Sequence, residues 1–316
     1  MKKIFKHLIL PALVITLFLA LSSSMFSDVF AVLNVSASNE SSQSSNLTAV
    51  KKDKVKIEDF KYVTNDDKNI KVYYSFPVEI KKDMQIIFVM HGSGRDASAM
   101  IKRFSYLSEM ENIAVIVPEF KKNLYNTSEY NRLNILKSGV ITPYDDWVFN
   151  QIDDIFEYFI QRFELDNKKY ILYGHSAGAQ FTVRTLMFSQ SEYLDYAIAA
   201  NAGTYTFFDE SAKYPYGIKN MLGYKEVLFN NLGKKLYILI GNEDTDENHP
   251  DLEQSFNAQG KHRYERAINF FNSSRKYSQE NNIKFNWEIL VMDGVSHNSK
   301  QTIPFVLDII TKNMKK

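Results

Sequence analysis

The chain predicts an α/β fold in which a mostly parallel central sheet carries helices on both faces. Three observations lead there. Continuously apolar runs, such as residues 84–90 (MQIIFVM) and 235–240 (KLYILI), read as strands covered on both faces. Segments with helical spacing, such as residues 147–163, alternate with these runs, and that order favours parallel strands joined by helical crossovers. Residues 169–180 read KYILYGHSAGAQ, a buried strand feeding a helix through Gly174-His175-Ser176-Ala177-Gly178.

The amino terminus begins with a basic stretch, Met1 to Lys6, followed by an apolar run over 8–21 and small-residue sites ending at Ala31 and Ala37. Residues 1–31 therefore read as a signal peptide or an uncleaved anchor, which places the folded part outside the cytoplasm. Secretion or display at the cell surface follows, with membrane contact only through that segment. Residues 32–54, rich in serine and asparagine, lack the apolar content to order themselves and read as a flexible linker. One domain, 55–316, remains. Its chain of origin carries 38 basic and 37 acidic residues, a formal charge of +1, so no overall field attracts nucleic acid. The absence of cysteine excludes disulfides, thiolate metal sites and a cysteine nucleophile.

Within the domain, residues 55–63 and 70–76 alternate about Asn65-Asp66-Asp67-Lys68 and predict an antiparallel hairpin. Residues 84–90 form a central strand, 97–110 a helix, 113–117 a second buried strand and 120–146 a long irregular connection. In residues 147–163, Val148, Ile152, Ile155, Phe156 and Phe159 make one apolar stripe. Strands follow at 170–173, 196–200, 235–240 and 285–292, and a last helix at 301–313. The aromatic segment 203–233 is expected to wall or cover a ligand site at the carboxyl ends of the strands, with packing on the core as the alternative.

The chemistry centres on Ser176. A serine hydroxyl attacks a carbonyl only when a base takes its proton, and the base needs an orienting carboxylate. The elbow lifts the serine on a sharp turn, and the flanking glycines let strand and helix approach closely. His297, in the loop between the last strand and last helix, is the expected base. His262 is expected to be structural or substrate-side, His249 solvated, and His175 packed away inside the elbow. Asp244, beyond residues 235–240, is the expected acid, with Asp246 and Glu243 as alternatives. The oxyanion donors are the backbone N–H groups of Ala177 and of Ser93, in His91-Gly92-Ser93-Gly94. A calcium loop starting at Asp244 fails, because His249 falls where glycine is needed and Ser255 where glutamate is. No metal and no cofactor is called for.

Together His91-Gly92-Ser93-Gly94, the Gly174–Gly178 elbow, Asp244 and His297 resemble the α/β-hydrolase superfamily over residues 55–316. The HG loop and G-H-S-x-G elbow are similar to its secreted polyhydroxybutyrate depolymerase and feruloyl esterase branch. The resemblance implies an α/β-hydrolase fold and a serine hydrolase acting on a small-molecule or polymeric carboxylic ester through a Ser-His-Asp triad. A serine peptidase on the same fold, or a non-catalytic binding protein retaining it, are the alternatives. The aromatic content favours apolar or phenolic acyl groups.

Overall fold

A computed structural model describes residues 55–110, 112–250, 252 and 258–315. The expected signal peptide or anchor and the linker lie outside the described residues. The chain opens with β1 (Ile57–Val63) and β2 (Asn69–Ser75), paired antiparallel as the sequence predicts, then β3 (Gln85–Met90). Helices α1 (Ala97–Phe104) and α2 (Tyr106–Met110) lead to β4 (Ile113–Glu119). A loop region follows with a short helix α3 (Thr127–Tyr130) and a two-stranded ribbon, β5 (Leu136–Lys137) and β6 (Val140–Ile141). Then come α4 (Asn150–Arg162), β7 (Tyr170–His175), α5 (Ala177–Phe188), β8 (Leu194–Ala200), α6 (Lys225–Leu232) and β9 (Lys235–Gly241). Helix α7 (Arg263–Glu280), β10 (Trp287–Met292) and α8 (Ser299–Met314) close the chain.

The main sheet has eight strands in the order β1-β2-β4-β3-β7-β8-β9-β10, and every pairing from β4 to β10 is parallel. The continuous apolar runs are explained by two separate cores. Ile86, Phe88 and Met90 of β3 face one core with Ile152, Ile155, Phe156 and Phe159 of α4, the inner residues of α5, and Phe270 of α7. Ile87 and Val89, pointing the other way, join Met100, Ile101 and Phe104 of α1 with Val306, Ile309 and Ile310 of α8. Each such side chain contributes roughly 1.5–3 kcal/mol when fully buried, so a strand loaded on both faces is held from both sides. All twelve residues of α5 are buried, which fixes the helix that follows the elbow.

Two segments differ from expectation. Residues 97–110 form two helices that meet at Ser105: its N–H completes the first helix on Ile101 O, and the Ser108 N–H bonds Ser105 O in a tighter turn. That step keeps Phe104 and Leu107 in the same core. The connection over 120–146 is ordered rather than irregular. Asn126 and Glu129 form a capping box at α3, Glu129 also meets Lys68 of the β1–β2 turn at 3.2 Å, and Tyr125, Tyr130, Leu133 and Ile135 are buried. Among the described residues no helix is long and apolar enough to cross a membrane.

Candidate active site

The site lies where the parallel strands end. Strand β7 runs into Ser176, the loop after β9 carries Asp244, and the loop after β10 carries His297. Ser176 sits at φ 58°, ψ −116°, a conformation costly for a residue with a side chain and one that persists only where the surroundings impose it. They do so here through two close approaches. A Cβ on Gly174 would lie 2.1 Å from Gly178 O, and one on Gly178 would lie 2.2 Å from Met90 O. Only glycine lets β3, β7 and α5 meet this closely. Replacing Gly178 with alanine should therefore destabilise the domain by about 3 kcal/mol, a drop in Tm of about 6–12 °C by calorimetry. A variant as stable as wild type would contradict the packing. The glycines of the HG loop are different: a Cβ on Gly94 would meet nothing within 4 Å and one on Gly92 only ordinary contacts, so space does not demand them.

His297 Nε2 lies 3.0 Å from Ser176 Oγ, and His297 Nδ1 lies 2.7 Å from Asp244 Oδ2. Serine, imidazole and carboxylate thus form one hydrogen-bonded chain. Asp244 is 2% exposed, and it is surrounded by donors: Asn201 Nδ2 reaches its Oδ2 at 2.7 Å, and Arg263 Nη1 stands 3.5 Å from its Oδ1. Burial alone would raise its carboxyl, but the His297 hydrogen bond and charge, Arg263 and Asn201 together hold it below the ordinary 3.8. Such a chain can take a proton from the serine and stabilise the imidazolium that results.

The other candidates are sorted by their surroundings. Glu243 and Asp246 are exposed, and Asp246 is occupied in the loop, accepting from Asn248 N–H. Burial pushes His175 down to about 3, helped by the nearby His297, whose ring centroid is 4.9 Å away; it packs as a neutral ring. His262 caps α7, its Nδ1 accepting from the Glu265 N–H at 3.3 Å, which is a structural task. His249 is not solvated as expected. It is half-buried, its Nδ1 is 3.0 Å from Arg263 Nη2, and its ring stands edge-on to His297 at 5.3 Å. Beside the chain, His91 is also neutral, pushed down to about 3 by burial and then by Arg95; its Nε2 accepts from Phe120 N–H.

A cavity of about 450 Å³ opens on Ser176 and Ala177, with Ser93, Gln180, Thr204 and Asn126 around it. Ala177 is the first residue of α5, where helical N–H groups lack partners inside the helix, and Ser93 faces the same space. The charged residues lining it are Arg95, Lys122 and Arg263, and no carboxylate among the described residues does so. The expected aromatic wall is absent from this lining. Gly203 and Thr204 reach the cavity, but the rings that follow pack on the core instead: Tyr205 stacks on Phe270 at 4.4 Å, Phe208 on Tyr277 at 5.1 Å, and Tyr214 meets Phe188 at 5.6 Å. A larger depression of about 720 Å³ lies elsewhere, lined by residues such as Asn65, Tyr144 and Asp154, and includes no member of the Ser176 chain.

Sequence reasoning missed Asn201, Arg263 and Arg95. Asn201 follows β8 at φ 54°, and the only hint was a polar residue closing an alanine-rich strand.

Among solved structures, poly(aspartic acid) hydrolase-1 from Sphingomonas sp. KT-1 superposes with a TM-score of 0.77 at 31% identity, covering 80% of this chain and 97% of its own. The chain belongs to the α/β-hydrolase superfamily. A poly(3-hydroxybutyrate) depolymerase from Bordetella parapertussis shares the fold at TM-score 0.75 and 22% identity, over 80% of this chain and 88% of that one. An acylaminoacyl peptidase from Pyrococcus horikoshii does so at TM-score 0.52 and 13% identity, over 83% of this chain and 42% of that one. No protein-family model and no curated protein matches. This α/β-hydrolase is a hydrolase whose fold is shared by enzymes named as a depolymerase and as a peptidase.

Proposed function

We propose that the chain is an extracytoplasmic serine hydrolase that cleaves carboxylic esters through an acyl-enzyme. The observation that carries this reading is the unbroken chain from Ser176 Oγ through His297 to Asp244, with Ser176 held at positive φ above the sheet. Ser176 Oγ bonds to the carbonyl carbon as its proton passes to His297 Nε2. The backbone N–H groups of Ala177 and Ser93 take the developing oxyanion. The intermediate collapses, the C–O bond to the alcohol breaks, and His297 returns its proton to the departing oxygen. Water, deprotonated by His297, then releases the acid and restores Ser176. The extracytoplasmic part rests on the basic start and apolar run over residues 1–31.

A p-nitrophenyl ester series and a fluorophosphonate serine probe test the reading. Hydrolysis together with labelling of Ser176 is expected. Folded protein inert to both would sink it and favour a binding protein on the same fold.

Amide cleavage in a carboxylate-bearing polymer is the second reading. It is favoured by the relative named a poly(aspartic acid) hydrolase, 31% identical, and by the cationic lining beside Ser176. Shortening of poly(aspartic acid) chains, followed by size-exclusion chromatography, separates it from a pure esterase.

A further inference from the structure

Arg95 stands two residues beyond Ser93 and lines the same cavity as Ser176. Three features set it apart. Its backbone is at φ 58°, a strained conformation for a residue with a long side chain, and such strain persists where the surroundings over-determine it. It is only 8% exposed. Its direct contacts are neutral: Nη1 donates to Phe120 O at 2.7 Å, the guanidinium lies 4.0 Å above the Tyr130 ring, and Nε, shut away from solvent, has no hydrogen-bond partner among the described residues; the Glu129 carboxylate, which acts on the guanidinium electrostatically, is itself paired with Lys68 at 3.2 Å.

A purely structural role does not account for the charge. Pinning the Phe120 carbonyl and covering Tyr130 needs a donor and a flat surface, which a neutral side chain supplies without the cost of burying a cation. A buried guanidinium beside a cavity without a lining carboxylate is instead matched by an anion that arrives with the ligand. A guanidinium is also a strong partner for a carboxylate, through charge-assisted hydrogen bonds.

We propose that Arg95 is a specificity-determining residue that selects substrates carrying a carboxylate, binding that group in the cavity beside Ser176. The inference rests on the serine-hydrolase reading and names its substrate class. Lys122, exposed at the rim, adds attraction on approach.

The test compares matched esters that differ by one carboxylate. Phenyl hydrogen adipate against phenyl hexanoate places the charge on the acyl side, and 4-acetoxybenzoate against phenyl acetate places it on the leaving group. In at least one pair, wild type is expected to prefer the anionic ester in kcat/KM, and that preference to fall about 10–100-fold in Arg95→Gln, the range for losing a charged hydrogen bond. Arg95→Lys is expected to keep part of it. General damage to the loop would lower both members of a pair alike, so the ratio reports recognition. If Arg95→Gln does not fold, Arg95→Lys decides, since it keeps the charge but loses the planar fork and is expected to lower the preference. No preference in either pair, or one unchanged in the Arg95 variant that folds, overturns the inference while neutral-ester hydrolysis leaves the serine-hydrolase reading standing. Calorimetric titration of adipate into Ser176→Ala tests the anion site without turnover. Saturable binding supports it, and its absence overturns it even if every ester proves inert.

Discussion

Replacing Ser176 with alanine should lower ester turnover by about 10⁶-fold while leaving thermal unfolding close to wild type. The size follows from what the change removes: the one atom that becomes covalently bound to the acyl group. What survives is the cavity and the backbone N–H groups, which alone retain about 10³–10⁴-fold over water in comparable machinery. Stability is expected to hold because the positive φ at position 176 is imposed by Gly174 and Gly178, whose close contacts alanine at 176 does not touch. His297→Ala should cost about as much, and the double variant little more, since groups that act as one unit fail together. Initial rates on p-nitrophenyl esters with circular-dichroism melts decide the matter. A Ser176→Ala protein keeping a hundredth of wild-type turnover would remove Ser176 from the role of nucleophile.

The elbow was legible because its information is local. A strand, a turn and a helix with glycines at two fixed offsets state their own geometry, and the contacts of Gly174 and Gly178 account for both glycines. His297 and Asp244 were legible from chain order, each in the loop after a buried strand. Their supporting cast was not. Arg263 meets Asp244 across 19 residues, from the start of the helix that follows β9, and Asn201 meets it across 43, because the sheet sets β8 beside β9. His249 read as solvated for the same reason, its partner Arg263 being fourteen residues away at the start of another helix. Aromatic composition misled differently. Periodicity reports that Tyr205, Phe208 and Tyr214 are apolar, but not whether a given ring faces a cavity or Phe270, Tyr277 and Phe188. The core took them, and the cavity was left to polar and cationic side chains.

Asp244 carries two loads, and two substitutions should separate them. In Asp244→Ala, His297 loses its orienting partner, so turnover is expected to fall by about 10⁴-fold. Arg263 is at the same time left as a buried cation without its carboxylate, which costs about 3–5 kcal/mol. Asp244→Asn keeps the volume and part of the hydrogen bonding. Turnover should fall comparably, because an amide cannot stabilise the imidazolium as a carboxylate does, while the stability loss is smaller. The pH dependence follows from the direction of the shift. The Asp244 carboxyl is held below its ordinary 3.8, so in the folded protein it gives up its proton more readily than in the unfolded chain. Its contribution is present above about pH 4, the ordinary range of an unfolded aspartate, and is lost as pH falls through the lower folded value. Urea unfolding at pH 6 and at pH 3 should show the stability advantage of wild type over Asp244→Asn shrinking at the lower pH. An advantage of equal size at both would mean that the carboxylate charge contributes nothing to stability. Asp244 would then serve catalysis alone, and Arg263 would owe its place to packing and to His249.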